Sequence, residues 1–203
     1  MTEKKKTRSE LKREAIVAAA TSAFKDYGVQ ATSMDKLAQI AGVSKRTVYN
    51  HFATKEALVM HLVSDLWKRA TVDIPVEYSP NSPLKAQLTK MLTIELKFIG
   101  STDYLNLARV AFGYLFYNAQ ELKKEFEKVS GQETAIQRWI KVAREDDRLK
   151  DIDMEFANNQ LHSLIKGNGF WPQLMGMRGE LSDEEIEFLA DESAEMFLCR
   201  YAK

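Results

Sequence analysis

The chain has 203 residues, 45% of them hydrophobic, which is enough for one extended or two small helical domains with a sizeable core. Lys and Arg together number 29, as do Asp and Glu, so the formal net charge is zero. No apolar run approaches the roughly 20 residues of a membrane helix, and the basic start MTEKKKTRSELKRE lacks the apolar segment of a signal peptide. We therefore expect a cytoplasmic protein with no membrane partner.

The charges are distributed unevenly along the chain. Residues 1–72 contain thirteen Lys and Arg against seven Asp and Glu, whereas residues 73–203 contain sixteen against twenty-two. A basic module can exchange counterions with a phosphate backbone, and an acidic module is repelled by it. The N-terminal part is thus expected to face nucleic acid, with the remainder lying away from it.

The first eight residues are charged and carry no apolar anchor, which predicts a mobile basic arm at 1–8. A long helix is predicted next, with Ser9 as its N-cap and Gly28 at its end. Its apolar residues recur at helical spacing and should brace the following elements; they are Ile16, Ala19, Ala20, Ala23, Phe24 and Tyr27.

Two short helices joined by a glycine turn are predicted between Ser33 and Lys55. The first has Thr32 or Ser33 as its N-cap, and its apolar face is formed by Met34, Leu37, Ala38 and Ala41. Gly42 follows where a helix end favours positive φ. Ser44 can cap the second helix, whose exposed side carries Lys45, Arg46, Thr47, Tyr49, Asn50 and His51. This is the layout of a helix-turn-helix DNA reader.

Residues 9–58 resemble the DNA-binding domain of the TetR family of bacterial transcriptional regulators. The matching motifs are F-x-x-Y-G at Phe24 to Gly28, then TSMDKLA, AGVSKRTVYNHF and KEAL. The resemblance implies an all-α fold, with an N-terminal three-helix helix-turn-helix domain at 9–55 and an all-helical ligand-binding and dimerisation domain at 56–203.

The resemblance also implies roles for individual residues toward double-stranded DNA. The side chains expected to face the major groove are Lys45, Arg46, Thr47 and Asn50. Those expected to contact phosphates are Tyr49, His51 and Lys55, and the DNA-binding set is completed by Thr32, Ser33 and Ser44. The family often has Gly or Ala where this chain has Arg46, so Lys45 is the first candidate for reading bases.

The rest of the chain is predicted to be helical throughout. Thr54 should cap a fourth helix running to about Val72, and a proline-containing loop should follow at Ile74 to Ser82. Further helices are predicted at about 83–99, 103–117, 119–147, 153–170 and 183–201, the last with a capping box of Ser182 and Glu185.

Residues 104–117 place apolar and aromatic side chains nearly all around one predicted helix. Either this crowding is simply core, or it lines a mostly apolar pocket for a small-molecule inducer. The candidate ligand-binding residues are Trp67, Met91, Phe98, Arg109, Phe112, Gly113, Phe116, Trp139 and His162.

The last two long helices resemble the two that each subunit of a TetR-family homodimer contributes to a four-helix interface. The candidate interface residues are Asn159, His162, Ser163, Lys166, Gly167, Phe170, Leu189 and Phe197. The alternative is that Phe170 and Trp171 only complete the core of the monomer. In a dimer, two readers related by a twofold axis need a roughly palindromic operator.

The sequence contains no motif for catalysis or metal binding. His51, His61 and His162 form no pair with metal-ligand spacing, and the glycine-rich and nucleophile motifs of enzymes are missing. The single cysteine, Cys199, is expected to be a small packed residue. We expect no catalytic residue, no metal and no cofactor.

The sequence therefore predicts a sequence-specific DNA-binding transcriptional regulator, a repressor released from its operator by a small-molecule inducer. The alternative is a DNA-binding or architectural dimer that responds to no ligand. The operator, the regulated genes, the inducer and the choice between repressor and activator are left open.

Overall fold

The computed structural model describes residues 6–70, 77–117, 120 and 133–203, and these residues form ten helices and no strand. The all-α prediction is confirmed. In chain order the helices are α1 (Arg8–Tyr27), α2 (Met34–Ile40), α3 (Lys45–His51), α4 (Lys55–Ala70), α5 (Leu84–Ile99), α6 (Thr102–Leu115), α7 (Ala135–Glu145), α8 (Met154–Gly169), α9 (Trp171–Leu174) and α10 (Asp183–Tyr201).

Contacts within the chain define two compact units. The first unit contains the described residues of 1–67 and 106–129, and the second contains those of 68–105 and 130–203. The boundaries between the units fall inside α4 and inside α6. The first unit therefore includes residues 56–67 and part of α6, in addition to the predicted helix-turn-helix segment at 9–55.

The start of α1 differs from the prediction. Thr7, not Ser9, is the N-cap, and it forms a reciprocal capping box with Glu10. Lys6 pairs with Glu14 at 2.6 Å. Thr7 and Arg8 thus belong to the cap and the first turn of α1, because a Thr with a Glu three positions later satisfies two free N–H groups at once. The other residues of the predicted arm, 1–5, lie outside the described part.

The first three helices pack around a small core in the first unit. Ile16, Ala20 and Phe24 of α1 are buried, as are Leu37 of α2 and Val48 of α3. Because α2 and α3 each have only seven residues, they depend on these tertiary contacts and not on their own helix propensity. The contacts hold α3 at a fixed angle to α1 and α2.

Gly42 makes the turn between α2 and α3. Its φ is +64°, a conformation that side chains with a Cβ adopt only with strain, and no other atom lies within 4 Å of the position a Cβ would occupy. The backbone conformation, and not a lack of space, is therefore the reason for glycine at this position. The predicted role of Gly42 agrees with the structure.

The second unit is built on α5, α8 and α10, which pack against one another. Leu88, Leu92, Leu161, Ile165 and Ala194 are fully buried. At the end of α8, a Cβ on Gly169 would lie 2.2 Å from Cδ2 of Leu96, so any side chain at this position would require the Leu96 side chain to shift.

A buried glutamine fixes the segment that precedes α5. The Oε1 atom of Gln87 accepts hydrogen bonds from the Ser79 amide at 2.8 Å and from Trp139 Nε1 at 3.2 Å. Its Nε2 atom donates to the carbonyl oxygens of Ser79 and Ser82, at 2.8 and 2.9 Å. This one side chain connects the start of α5, the preceding loop and α7.

Several predicted boundaries are revised by the structure. The helix predicted at 119–147 is described only as α7, since most of the residues before it lie outside the described part. The same is true of residues 71–76, which include part of the predicted loop. The stretch after α8 was expected to be irregular, yet Trp171–Leu174 form one helical turn, with Pro172 in its first turn where no N–H is needed.

Candidate nucleic-acid interface

The short helix α3 presents polar side chains on one face and a single buried anchor on the other. Val48 is completely buried, whereas Lys45, Arg46, Tyr49 and Asn50 are exposed. Thr47 and His51 are half-buried, so they are less accessible than predicted. The hydroxyl of Ser44 accepts a hydrogen bond from the Thr47 amide at 3.1 Å, which confirms Ser44 as the N-cap.

Lys45 is held by an acid on the neighbouring helix. Its Nζ atom lies 2.8 Å from Oδ1 of Asp35 and 3.0 Å from Oδ2. The hydrogen bond with Asp35, followed by the attraction of that carboxylate, raises the pKa of Lys45. The same Nζ lies 6.0 Å from the centre of the Tyr49 ring. Spacing along the sequence does not reveal this pairing, because residues 35 and 45 lie on different helices.

Thr32 does not expose its side chain as a DNA contact would require. The residue is 1% exposed, and its hydroxyl donates to the carbonyl oxygen of Gly28 at 2.9 Å. The prediction of a side-chain contact with DNA is therefore corrected: this hydroxyl connects the end of α1 to the start of α2. Ser33 is exposed and caps α2 by accepting from the Lys36 amide at 3.2 Å.

The segment after α3 is held by contacts with α1 and α4. The guanidinium of Arg13 lies 4.5 Å from the centre of the Phe52 ring, and its Nη2 atom is 3.3 Å from Nδ1 of His61. Lys55 is half-buried, and its Nζ donates to the carbonyl oxygen of Gln30 at 3.2 Å. Thr54 accepts from the Ala57 amide at 3.1 Å, as its predicted role as a cap requires.

The predicted ligand-binding residues fall in both units. In the first unit, Arg109 Nη1 donates to Asn106 at 3.1 Å, Gly113 is exposed, and the rings of Phe112 and Phe116 lie 6.1 Å apart. Phe116 is 76% exposed. The side chain of Trp67 lies outside the described part of the structure.

In the second unit, two of the predicted ligand-binding residues belong to the core. Met91 and Trp139 are buried. Phe98 is half-buried and lies 4.8 Å, ring centre to ring centre, from Tyr104. Nδ1 of His162 is 3.0 Å from Oε1 of Glu95, although the two atoms are not aligned as a hydrogen bond.

The predicted dimer residues are partly exposed and partly internal. Asn159, Ser163 and Gly167 are exposed on α8, and His162, Lys166 and Leu189 are half-buried. The two aromatic residues, Phe170 and Phe197, are buried within the unit. Their assignment to an exposed interface is corrected, because both side chains pack inward. For Phe170 this agrees with the alternative that it completes the monomer core.

Other exposed residues extend the surface of α8 and α10 that the sequence analysis selected. Phe156 on α8, with Phe188 and Met196 on α10, are each more than half exposed. A groove between the two helices is lined by Phe156, Ser163, Met196 and Phe197, among others. Helical spacing alone did not show which side of each helix was already used by the core. We call the exposed face formed by Phe156, Asn159, Ser163, Gly167, Phe188 and Met196 the α8–α10 face.

The described residues include no group of three or more His, Cys, Asp and Glu side chains that could hold a metal ion. None of the helices in the described ranges is long and apolar enough to cross a membrane. Cys199 is exposed, which corrects the expectation that it is packed. Its Sγ atom hydrogen-bonds to Glu195, and this contact raises the pKa of the thiol.

Three packed helices with an exposed, donor-rich third helix define a helix-turn-helix DNA-binding protein. Comparison with known families gives the same class. Residues 16–62 match the family "Bacterial regulatory proteins, tetR family", and residues 86–203 match "AefR-like transcriptional repressor, C-terminal domain". The chain belongs to the TetR family of bacterial transcriptional regulators, and it is a DNA-binding regulator and not an enzyme.

Individual relatives agree with this assignment. The HTH-type transcriptional regulator RutR of Escherichia coli O157:H7 is 26% identical over 191 residues, covering 87% of this chain and 83% of RutR. A TetR-family regulator from Pseudomonas syringae pv. tomato str. DC3000 superimposes with a TM-score of 0.82 and 35% identity, covering 94% and 96% of the two chains. The Flavonoid-responsive Regulator FrrA gives a TM-score of 0.70 and 27% identity, covering 94% and 97%.

Proposed function

We propose that this protein is a homodimeric repressor that binds a palindromic operator through α3 and is released from it by a small-molecule inducer. The observation that carries the DNA-binding part is the exposed face of α3, where Lys45, Arg46, Tyr49 and Asn50 stand on a helix anchored by Val48. Lys and Arg can donate to guanine, Asn can pair with adenine, and a tyrosine hydroxyl can donate to phosphate. Residues 9–55 form the DNA-binding domain in this proposal.

Repression is favoured over activation by the C-terminal half. Residues 86–203 match a family described as a transcriptional repressor. A repressor needs only to occupy its operator, so release by a ligand is sufficient for regulation. We assign ligand binding and dimerisation to residues 56–203, and we place the protein in the cytoplasm, where its DNA is.

Dimerisation is supported by the α8–α10 face. Exposed Phe156, Phe188 and Met196 provide apolar area, and Ser163 and Gly167 allow another helix to approach closely. Large exposed apolar residues grouped on one surface mark interaction sites in soluble proteins. In a twofold dimer through this face, operator binding would require the two copies of α3 to meet half-sites about 34 Å apart, or a multiple of that distance.

An inducer acts in this proposal through a coupling free energy. The inducer would prefer a conformation in which the two copies of α3 are wrongly spaced for the operator, and would therefore weaken operator binding. The operator must weaken inducer binding by the same factor, because coupling between two binding sites is reciprocal. Flavonoids are the first compounds to test, because FrrA, a similar structure, is described as flavonoid-responsive. Arg109, whose guanidinium already donates to Asn106, is the cation we assign to the ligand site, where it would pair with an acidic hydroxyl of the ligand.

The test of the DNA-binding part uses DNA from around the protein's own gene. Binding of the purified protein is titrated against scrambled competitor at two salt concentrations, and the stoichiometry is measured. We expect preference for the native fragment at the higher salt, with two protomers per site. Tyr49→Phe should weaken binding to operator and competitor alike, since it removes only a phosphate donor.

Binding that ignores sequence and vanishes with salt on every genomic fragment would support the architectural dimer instead. For the inducer, a flavonoid panel is added to the preformed operator complex. Release by one member, reduced in an Arg109→Met variant that still binds operator, is the expected result. A panel without effect would remove flavonoids as the ligand class and leave the DNA-binding proposal intact.

A further inference from the structure

The ion pair between Asp35 of α2 and Lys45 of α3 lies beside the face assigned to DNA. Both carboxylate oxygens lie within 3.0 Å of Nζ, and the two side chains are 62% and 60% exposed. An ion pair this exposed contributes little to the stability of a fold. We therefore consider which hydrogen bonds the two charged groups can make to a binding partner.

Neither group is saturated by the other. An ammonium has three N–H donors, and a carboxylate has about four acceptor positions. After their mutual contact, Lys45 still has a donor to offer and Asp35 still has acceptors. The pair thus presents a hydrogen-bond donor and a hydrogen-bond acceptor side by side, at a separation of 2.8 Å.

This arrangement complements one base-pair edge in the major groove. A G·C pair presents guanine N7 and O6 as neighbouring acceptors and cytosine N4–H₂ as the adjacent donor. Because O6 and N4 are hydrogen-bonded to each other, they lie about 2.9 Å apart, close to the separation of the Lys45 and Asp35 atoms. An A·T pair also places a donor, adenine N6, beside an acceptor, thymine O4, but next to that acceptor it has the thymine methyl group where guanine has N7, so the Lys45 ammonium gains no second acceptor there.

We propose that Asp35 is a specificity-determining residue that reads one G·C base pair per half-site together with Lys45. The remaining N–H of Lys45 is shared between guanine O6 and N7, and Asp35 accepts from cytosine N4. The inference rests on the proposed function, since it requires duplex DNA against α3. It assigns a purpose to a carboxylate that would otherwise only repel the phosphate backbone.

The test is selection of binding sites from a random-sequence duplex library by the full-length protein, followed by sequencing. The variants are Asp35→Ala, Asp35→Asn and Lys45→Met, with Asp26→Ala as the control that removes an exposed carboxylate from α1. We expect wild type to select a palindrome with a G·C pair that Asp35→Ala and Lys45→Met both relax. Discrimination at that pair should fall about tenfold, the effect of one lost base contact.

The asparagine variant separates base reading from simple electrostatics. Its amide oxygen can still accept from cytosine, so Asp35→Asn should retain more discrimination than Asp35→Ala. Equal behaviour of the two variants, with tighter binding to every duplex and an unchanged site, would overturn the proposal. Asp35→Ala and Lys45→Met acting at different base pairs, or at an A·T pair, would overturn it as well.

The same selection data distinguish a failure of the proposed operator binding from a failure of the proposed role of Asp35. Wild type that selects no sequence overturns the proposed operator binding and this inference together. Wild type that selects a palindrome which no Asp35 variant changes overturns this inference alone. Circular dichroism of each variant shows whether it is folded, and Asp35→Asn, which preserves the side-chain shape, provides the test if the alanine variant is not.

Discussion

At the residue scale, the hydroxyl of Thr32 is a buried connection between two helices. Thr32→Val keeps the shape of the side chain but leaves the Gly28 carbonyl oxygen without this donor. We expect the free energy of unfolding to fall by about 0.5–1.5 kcal/mol, the net contribution of one intramolecular hydrogen bond. Urea denaturation measures the loss. Thr32→Ser keeps the donor and should lose less; a greater loss for serine would show that the methyl group matters more.

The buried hydroxyl of Tyr104 should make the stability of the fold depend on pH. Burial, and secondarily the carboxylate of Glu95, raises the pKa of its hydroxyl above the ordinary value of 10.0. The folded state therefore favours the protonated phenol. The resulting stabilisation is fully present below pH 10 and is lost as the pH rises above it, because the unfolded chain releases the proton first.

The corresponding experiment is urea denaturation of wild type and Tyr104→Phe from about pH 9 to about pH 11. Wild type should lose more unfolding free energy over this interval than the phenylalanine variant. Tyr49→Phe is the matched control, since Tyr49 is 44% exposed, and it should follow wild type. Identical pH profiles for wild type and Tyr104→Phe would contradict the assignment.

At the element scale, the positive φ of Gly42 sets the turn that orients α3 relative to α2. Gly42→Ala adds a methyl group where there is space, so its cost is the positive φ alone. We expect a loss of about 1–2 kcal/mol in unfolding free energy. Gly113→Ala, also in open space but inside α6, should instead be neutral or stabilising by about 1 kcal/mol.

Thermal unfolding followed by circular dichroism compares the two glycine variants. A loss of stability in Gly42→Ala, together with an unchanged or increased stability in Gly113→Ala, supports the explanation that Gly42 is needed for its positive φ. If Gly42→Ala were as stable as wild type, the turn would have to tolerate another conformation, and the fixed angle between α2 and α3 would be in question.

The sequence predicted the elements better than it predicted the side-chain surroundings. Helical periodicity located α1, α2, α3, α5 and α10, because each has an apolar side and a recognisable cap or turn. Thr32 was included in the DNA-binding set with the family resemblance, and neither that resemblance nor periodicity shows that its side chain is buried. Pairings between helices, such as Asp35 with Lys45, depend on the angle between elements, which local spacing does not contain.

The same limit applied to the candidate interface on α8 and α10. Ser163 and Gly167, two of the candidate interface residues, are exposed, whereas Phe170 and Phe197 are buried. An aromatic residue next to a small one fits a subunit interface and a helix–helix contact within one chain equally well. Only the packing of α5 against both helices shows which side remained exposed.

At the scale of the whole molecule, the α8–α10 face should control assembly. Phe156→Asp combined with Met196→Asp places charges on exposed apolar positions, so the monomer should keep its stability within about 0.5 kcal/mol. The proposed dimer should dissociate, because unpaired charges are costly in an interface. Analytical ultracentrifugation should detect monomers, and operator binding should weaken strongly.

Val142→Asp is the matched control for this prediction, since Val142 is an exposed apolar residue on α7 and is not one of the residues that define the α8–α10 face. It should remain dimeric. A double variant that stays dimeric would show that the subunits associate through another surface.

The side chain of Gln87 holds the backbone of the loop before α5 by hydrogen bonds. Its amide group binds both the N–H and the C=O of Ser79, as a paired strand would, and it also binds Ser82 and Trp139. Slow hydrogen–deuterium exchange is normally a property of helices and sheets. Here the amide hydrogen of a residue outside any regular element should be retained as long as those of α5, so this loop would open only when the helix beside it opens.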